Sequence, residues 1–132
     1  KCRFDFSHGK ALTGHQVDET ERIVQEFVAQ EREVFNQVLP LDLAKGIFGL
    51  KAVFGEVYPD PVRVVSVGFP IEEMIKYPSR EDWGDSSVEF CGGTHVSNTR
   101  EAEAFVVTEE AAIAKGIRRV KFARSSGTNK SA

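Results

Sequence analysis

A chain of 132 residues is about the length of one domain, and at 41% hydrophobic and 28% charged it has the composition of a globular protein able to bury its own core. Two cysteines make no disulfide framework, apolar runs of a few residues are too short for a membrane span, and a formal net charge of −3 argues against gripping nucleic acid by bulk positive charge. Any RNA contact must be local, the expected compartment is reducing and cytoplasmic, and a start on a strand-like segment without Met suggests a piece of something larger.

Cys2, Phe4 and Phe6 alternate with Arg3, Asp5 and Ser7, which predicts a half-buried strand with Cys2 in its core face and Arg3 paired to Asp5 on the other. Thr13 and Gln16 have the spacing of a capping box. Behind them Ile23, Val24, Phe27, Val28, Val34, Phe35 and Val38 recur at helical spacing, predicting one amphipathic helix to about Gln37 with a solvated acidic face of Glu19, Glu21, Glu26, Glu31 and Glu33. Pro40 opens a short helix over 41–47 that Gly49 ends.

Segments 52–58 and 62–67 are β-branched and aromatic, and the Pro59-Asp60-Pro61 turn between them predicts a hairpin. Residues 77–86 read as a surface loop, and 88–91, 104–108 and 117–122 as further strands. About six strands with two or three helices, not regularly interleaved, make the class α+β: a mostly antiparallel sheet on one long and one or two short helices. Residues 1–124 form the expected domain, and 125–132, without apolar periodicity, a flexible tail.

The chemistry concentrates in Ser87-Val88-Glu89-Phe90-Cys91-Gly92-Gly93-Thr94-His95-Val96. Cys91 and His95 offer sulfur and nitrogen, the donors zinc prefers, and Gly92 and Gly93 permit a sharp bend between them. Spacing alone serves equally a buried thiol beside a hydrogen-bonded histidine. His8 and His15, the other imidazoles, are too far apart across a strand end and a helix cap to share an ion, and are expected to face solvent. Neighbouring strand positions send Arg118 and Arg119 to opposite faces, as surface charge or as one phosphate contact. No Ser-His-Asp set or carboxylate pair suggests a catalyst, so the catalytic residues are unknown.

That loop resembles the zinc-binding loop in the editing domain of alanyl-tRNA synthetase, the second additional domain. So do Arg3-Phe4-Asp5-Phe6-Ser7-His8, Leu50-Lys51-Ala52-Val53-Phe54, the run from Tyr58 to Ser66 and the run from Ile113 to Val120, in the family's eukaryotic-type form over roughly residues 1–121. The resemblance implies the editing fold shared by threonyl- and alanyl-tRNA synthetases. It also implies a zinc site in which Cys91 and His95 are joined by two histidines upstream of this chain, which has no H-x3-H of its own. Gly92, Gly93 and Thr94 would present amides to the substrate or serve only the bend, and Arg118 or Arg119 would approach tRNA.

An alanine pocket discriminates glycine and serine poorly, since one methylene is worth only about 1–3 kcal/mol and an added hydroxyl is no better rejected. The implied activity is therefore hydrolysis of seryl or glycyl esters at the 3′ end of tRNA(Ala), in a parent ligase whose aminoacylation domain, with its ATP and magnesium, lies outside this chain. The expected partners are that tRNA end and the rest of the synthetase, with no membrane. The isolated piece is expected to be inactive and the parent cytoplasmic, with a mitochondrial pool. A free-standing trans-editing deacylase and a noncatalytic tRNA-binding module are the alternatives.

Overall fold

The computed structural model describes residues 2–52 and 55–124, along which β1 (Cys2–Ser7), α1 (Gly14–Ala29), β2 (Val34–Leu39), α2 (Leu41–Lys45), β3 (Val62–Val67), α3 (Ile71–Lys76), β4 (Val88–Phe90), β5 (Phe105–Ala114) and β6 (Ile117–Arg124) follow in order. The class is α+β, as expected, but the strands form two antiparallel sheets of three, β1-β6-β5 and β2-β3-β4. Each belongs to its own compact unit, one of residues 1–31 with 99–132 and the other of 32–98.

In the first unit α1 starts where the capping box predicts: Gln16 N donates to Thr13 Oγ1 at 3.1 Å and Thr13 N to Gln16 Oε1 at 2.9 Å. Its end does not match the expectation of Gln37. Gln30 caps the helix through its amide to Glu26 O at 3.0 Å, and Glu31 turns to φ 50°, so Glu31 and Glu33 lie beyond the helix. Glu21 is not solvated either, since its Oε1 accepts from Val107 N at 2.7 Å, while Gln25 Nε2 donates to Phe105 O at 3.0 Å. Glu19 and Glu26 do face water, flanking Arg22.

β6 lies between β1 and β5, a hairpin partner of the latter through Lys115 and Gly116. The strand expected over 104–108 is longer than the apolar run because its far half, with Ala111 and Ala112, is carried by pairing to β6. Two further expectations fail here. Cys2 is exposed, as is Phe4 at 61%, because β1 is an edge strand with little packed on that face. Asp5 pairs across the strands with Arg119 at 2.7 Å, not along its own strand with Arg3.

In the second unit β3 alternates strictly, with Val62, Val64 and Ser66 buried. They meet Leu39, Ala44, Ile47, Ile71, Met74, Trp83 and Val88 in one apolar core. Buried polar atoms in that core are satisfied: Ser66 Oγ donates to Phe69 O and Trp83 Nε1 to Tyr77 O, both at 2.8 Å. The segment 34–39 is a strand because β3 offers it a full antiparallel register, from Val34 opposite Val67 to Leu39 opposite Val62.

The expected hairpin of 52–58 with 62–67 does not form among the described residues, which leave out Val53 and Phe54; β3 takes β2 and β4 as neighbours instead. The proline turn contains a cis Asp60–Pro61 bond, and Asp60 Oδ1 accepts from Leu41 N at 3.0 Å, holding the start of α2. The expected surface loop over 77–86 buries Trp83, in the 3-10 turn Glu81–Asp85, against Phe69 at 5.1 Å between ring centroids. The tail from 125 onward lies outside the described residues.

Candidate metal-ligand loop

The register that pairs Val64 with Phe90 brings the next residue, Cys91, opposite Arg63, and Cys91 N donates to Arg63 O at 3.2 Å. Residues opposite one another across two strands share a face. Cys91 therefore stands with Arg63 on the side of the sheet away from Val62, Val64 and Val88, as an exposed, free thiol.

From there the loop runs to the outer edge of β2, where Val34 N donates to Ser97 O at 2.9 Å and Glu33 bridges Asn98. Both ends of the loop are thus tied to strands of the same sheet. His95 lies between them, half-buried, with its Nε2 shielded from solvent and without a hydrogen-bond partner. A buried imidazole nitrogen left unpaired loses its hydration for nothing in return. An electrophile in the site would remove that cost.

Gly92, Gly93 and Thr94 are exposed. Neither glycine adopts a left-handed φ, so the expected sharp glycine bend is not what they provide. A Cβ on Gly92 would meet nothing within 4 Å, and one on Gly93 only Cys91 Sγ at 3.9 Å. Their contribution is open space above the backbone.

Cys91 and His95 supply a soft sulfur and a free nitrogen, a fitting half of a zinc donor set. Among the described residues no group of three or more His, Cys, Asp and Glu side chains is arranged to hold a metal ion. The half site is therefore incomplete within these residues, as the missing H-x3-H implied. Arg63, not singled out from the sequence, is the cation on this face, and its guanidinium makes a short hydrogen bond to Asn36 Oδ1 across to β2. Its place in the β3 alternation was legible, but its pairing with the loop was not.

Arg118 and Arg119 lie in the other unit and do point to opposite faces, each gripping a carboxylate with two hydrogen bonds. Arg118 holds Glu110 at 2.7 Å through both Nε and Nη2, and Arg119 holds Asp5 at 2.7 and 3.0 Å. Those bonds hold both carboxyls below their ordinary range and raise both arginines. His15 is exposed as expected; His8 is not solvent-facing but half-buried, its Nε2 without a hydrogen-bond partner.

Residues 62–121, from β3 into β6, match the family profile described as the threonyl and alanyl tRNA synthetase second additional domain. A mitochondrial alanine–tRNA ligase of Saccharomyces cerevisiae is 55% identical over 120 residues, covering 91% of this chain and 12% of the ligase. A cytoplasmic one of Dictyostelium discoideum is 49% identical over 91% of the chain and 13% of its own length, and that of Schizosaccharomyces pombe is 42% identical over 98% and 14%. The chain thus spans about an eighth of the length of these relatives. With the profile spanning strands of both units and the identity running through the Cys91 to His95 loop, the chain belongs to the threonyl and alanyl tRNA synthetase second additional domain family, in its alanine–tRNA ligase branch.

Proposed function

We propose that this chain is the proofreading segment of an alanine–tRNA ligase, hydrolysing seryl or glycyl esters on tRNA(Ala). The observation that carries the reading is the buried, unpaired Nε2 of His95 in one loop with the free thiol of Cys91. Cys91 Sγ and His95 Nε2 would hold zinc together with two histidines from a part of the ligase outside this chain. When bound, the metal supplies a Lewis acid that orients the aminoacyl group.

The chain's own residues do the positioning. The amides of Gly92, Gly93 and Thr94 border open space and can donate to the ester carbonyl or the terminal ribose, a role that any side chain at Gly92 would obstruct. Arg63 adds a cation on the same face. Of the two arginines on β6, Arg119, with 25% of its side chain exposed against 15% for Arg118, is better placed for a tRNA phosphate.

The test uses the full-length ligase, with Cys91→Ala and His95→Ala assayed for zinc content and for deacylation of seryl- and glycyl-tRNA(Ala). Loss of zinc and of deacylation with alanylation retained is expected. Unchanged deacylation in both variants would overturn the reading in favour of a noncatalytic tRNA-binding module.

A further inference from the structure

β1 is the edge of the sheet β1-β6-β5, with one side of its backbone unpaired among the described residues. The register decides which groups those are. Ser7 lies opposite Ile117, and one residue on, His8 N donates to the carbonyl of Gly116 at 3.0 Å. Opposed residues in an antiparallel pair alternate between those that exchange backbone hydrogen bonds and those that do not. The even-numbered residues of β1 therefore bond to β6, and the amides and carbonyls of Arg3, Asp5 and Ser7 point outward. Five of the six residues of β1 are exposed, Phe4 at 61%.

Such an edge is a template for a further strand, and natural edges carry devices that select or refuse one. For a second copy of β1, three antiparallel registers near the middle of the strand satisfy the outward groups. One puts Arg3 opposite Arg3 and another Asp5 opposite Asp5, and like charges directly opposed are destabilising. The third places a two-fold axis beside Phe4, so that Arg3 of each copy faces Asp5 of the other, Phe4 faces Phe4 and Cys2 faces Phe6.

The neighbouring strand extends this match on both faces. On the charged face Asp5 already accepts two hydrogen bonds from Arg119, so the cross-strand row runs Arg119, Asp5, then Arg3 of the copy. On the other face Phe4 lies opposite Val120, which is 9% exposed, so the apolar row runs Val120, Phe4, then Phe4 and Val120 of the copy. We propose that this chain self-associates by antiparallel pairing of β1 with β1 of a second copy, in the register that sets Arg3 against Asp5. The seam is short, about 20 Å for six residues at ~3.3 Å each, which is well under a standard interface and makes the dimer concentration-dependent.

Sedimentation of the 132-residue chain from about 10 to about 500 µM should show the average mass rising towards a dimer, a range set by the small seam. Arg3→Asp, which opposes two carboxylates, should shift that rise at least about tenfold higher in concentration. In a Cys2→Ser, Cys91→Ser background, Phe4→Cys should form an intermolecular disulfide under mild oxidation, and Arg3→Cys should do so at least about tenfold more slowly, since its Cα lies off the axis. Circular dichroism checks that each variant is folded. A folded chain that stays monomeric throughout overturns the proposal. So does a dimer that Arg3→Asp leaves unchanged or that crosslinks as readily through position 3.

Discussion

Arg118 and Glu110 meet diagonally across β5 and β6 in a two-pronged ion pair, both contacts at 2.7 Å, with only 15% and 12% of their side chains exposed. Leu12 N adds a third hydrogen bond to Glu110 Oε1 at 3.1 Å, tying the segment before α1 to the sheet.

This arrangement predicts an acid transition. The bonds from Arg118 hold the Glu110 carboxyl below its ordinary range, outweighing the desolvation that opposes them, and the Leu12 amide works in the same direction. A carboxyl whose folded pKa is depressed binds fewer protons folded than unfolded, so its stabilisation is complete above the unfolded value of about 4.3 and is lost as pH falls through the folded value. Glu110→Gln should lower the melting temperature at pH 7 and flatten its decline between about pH 4.5 and 3. Melting curves across that range check it, and Asp5, held down by Arg119, leaves a residual slope.

Gly49→Ala should be severely destabilising. Gly49 sits at φ 80°, and a Cβ there would come within 2.9 Å of Gly84 Cα and 3.2 Å of Trp83 O, both backbone atoms that cannot swing aside. We expect a loss above about 2 kcal/mol, from the left-handed φ plus the clash. Urea unfolding with tryptophan fluorescence reports it directly, because Trp83 is the probe.

Met74→Ala should cost about 3 kcal/mol, in the range for emptying a buried site of this size. Met74 is fully buried in the cluster that includes Val64, Val88 and Trp83. Met74→Leu, close to it in volume, should cost under about 1.5 kcal/mol. The same unfolding assay separates the two.

Thiol labelling should distinguish the half site from a complete one. Cys2 and Cys91 are both exposed and free, so both should react in the 132-residue chain, with or without one equivalent of zinc. In the full-length ligase zinc should protect Cys91 alone and a chelator should restore its reactivity, since a metal-bound thiolate is withdrawn from exchange. Mass mapping of the label assigns the site.

Local signals in the sequence were reliable where one segment decides its own structure. The Thr13 capping box, the β3 alternation and the opposite orientation of Arg118 and Arg119 all stand as read. The readings that failed depended on distant partners. Val34, Phe35 and Val38 fit a helical stripe and a strand alike, and the choice is made by β3, some thirty residues on. Nothing in Gln30 and Glu31 announces a helix end, because Glu31 takes a positive φ without being glycine. The donors Cys91 and His95 were legible as residue types, whereas the burial of Nε2 arises from the loop's anchorage at both ends and leaves no mark in the sequence.

The first unit is assembled from two separated stretches, with residues 32–98 between them, and the second unit's first and last residues run side by side, joined by the Glu33 bridge to Asn98 and by Val34 N on Ser97 O. Residues 32–98 are thus an insertion whose points of departure and return adjoin. Such a module can lengthen, shorten or be transplanted into another host loop without altering the gap its host must close.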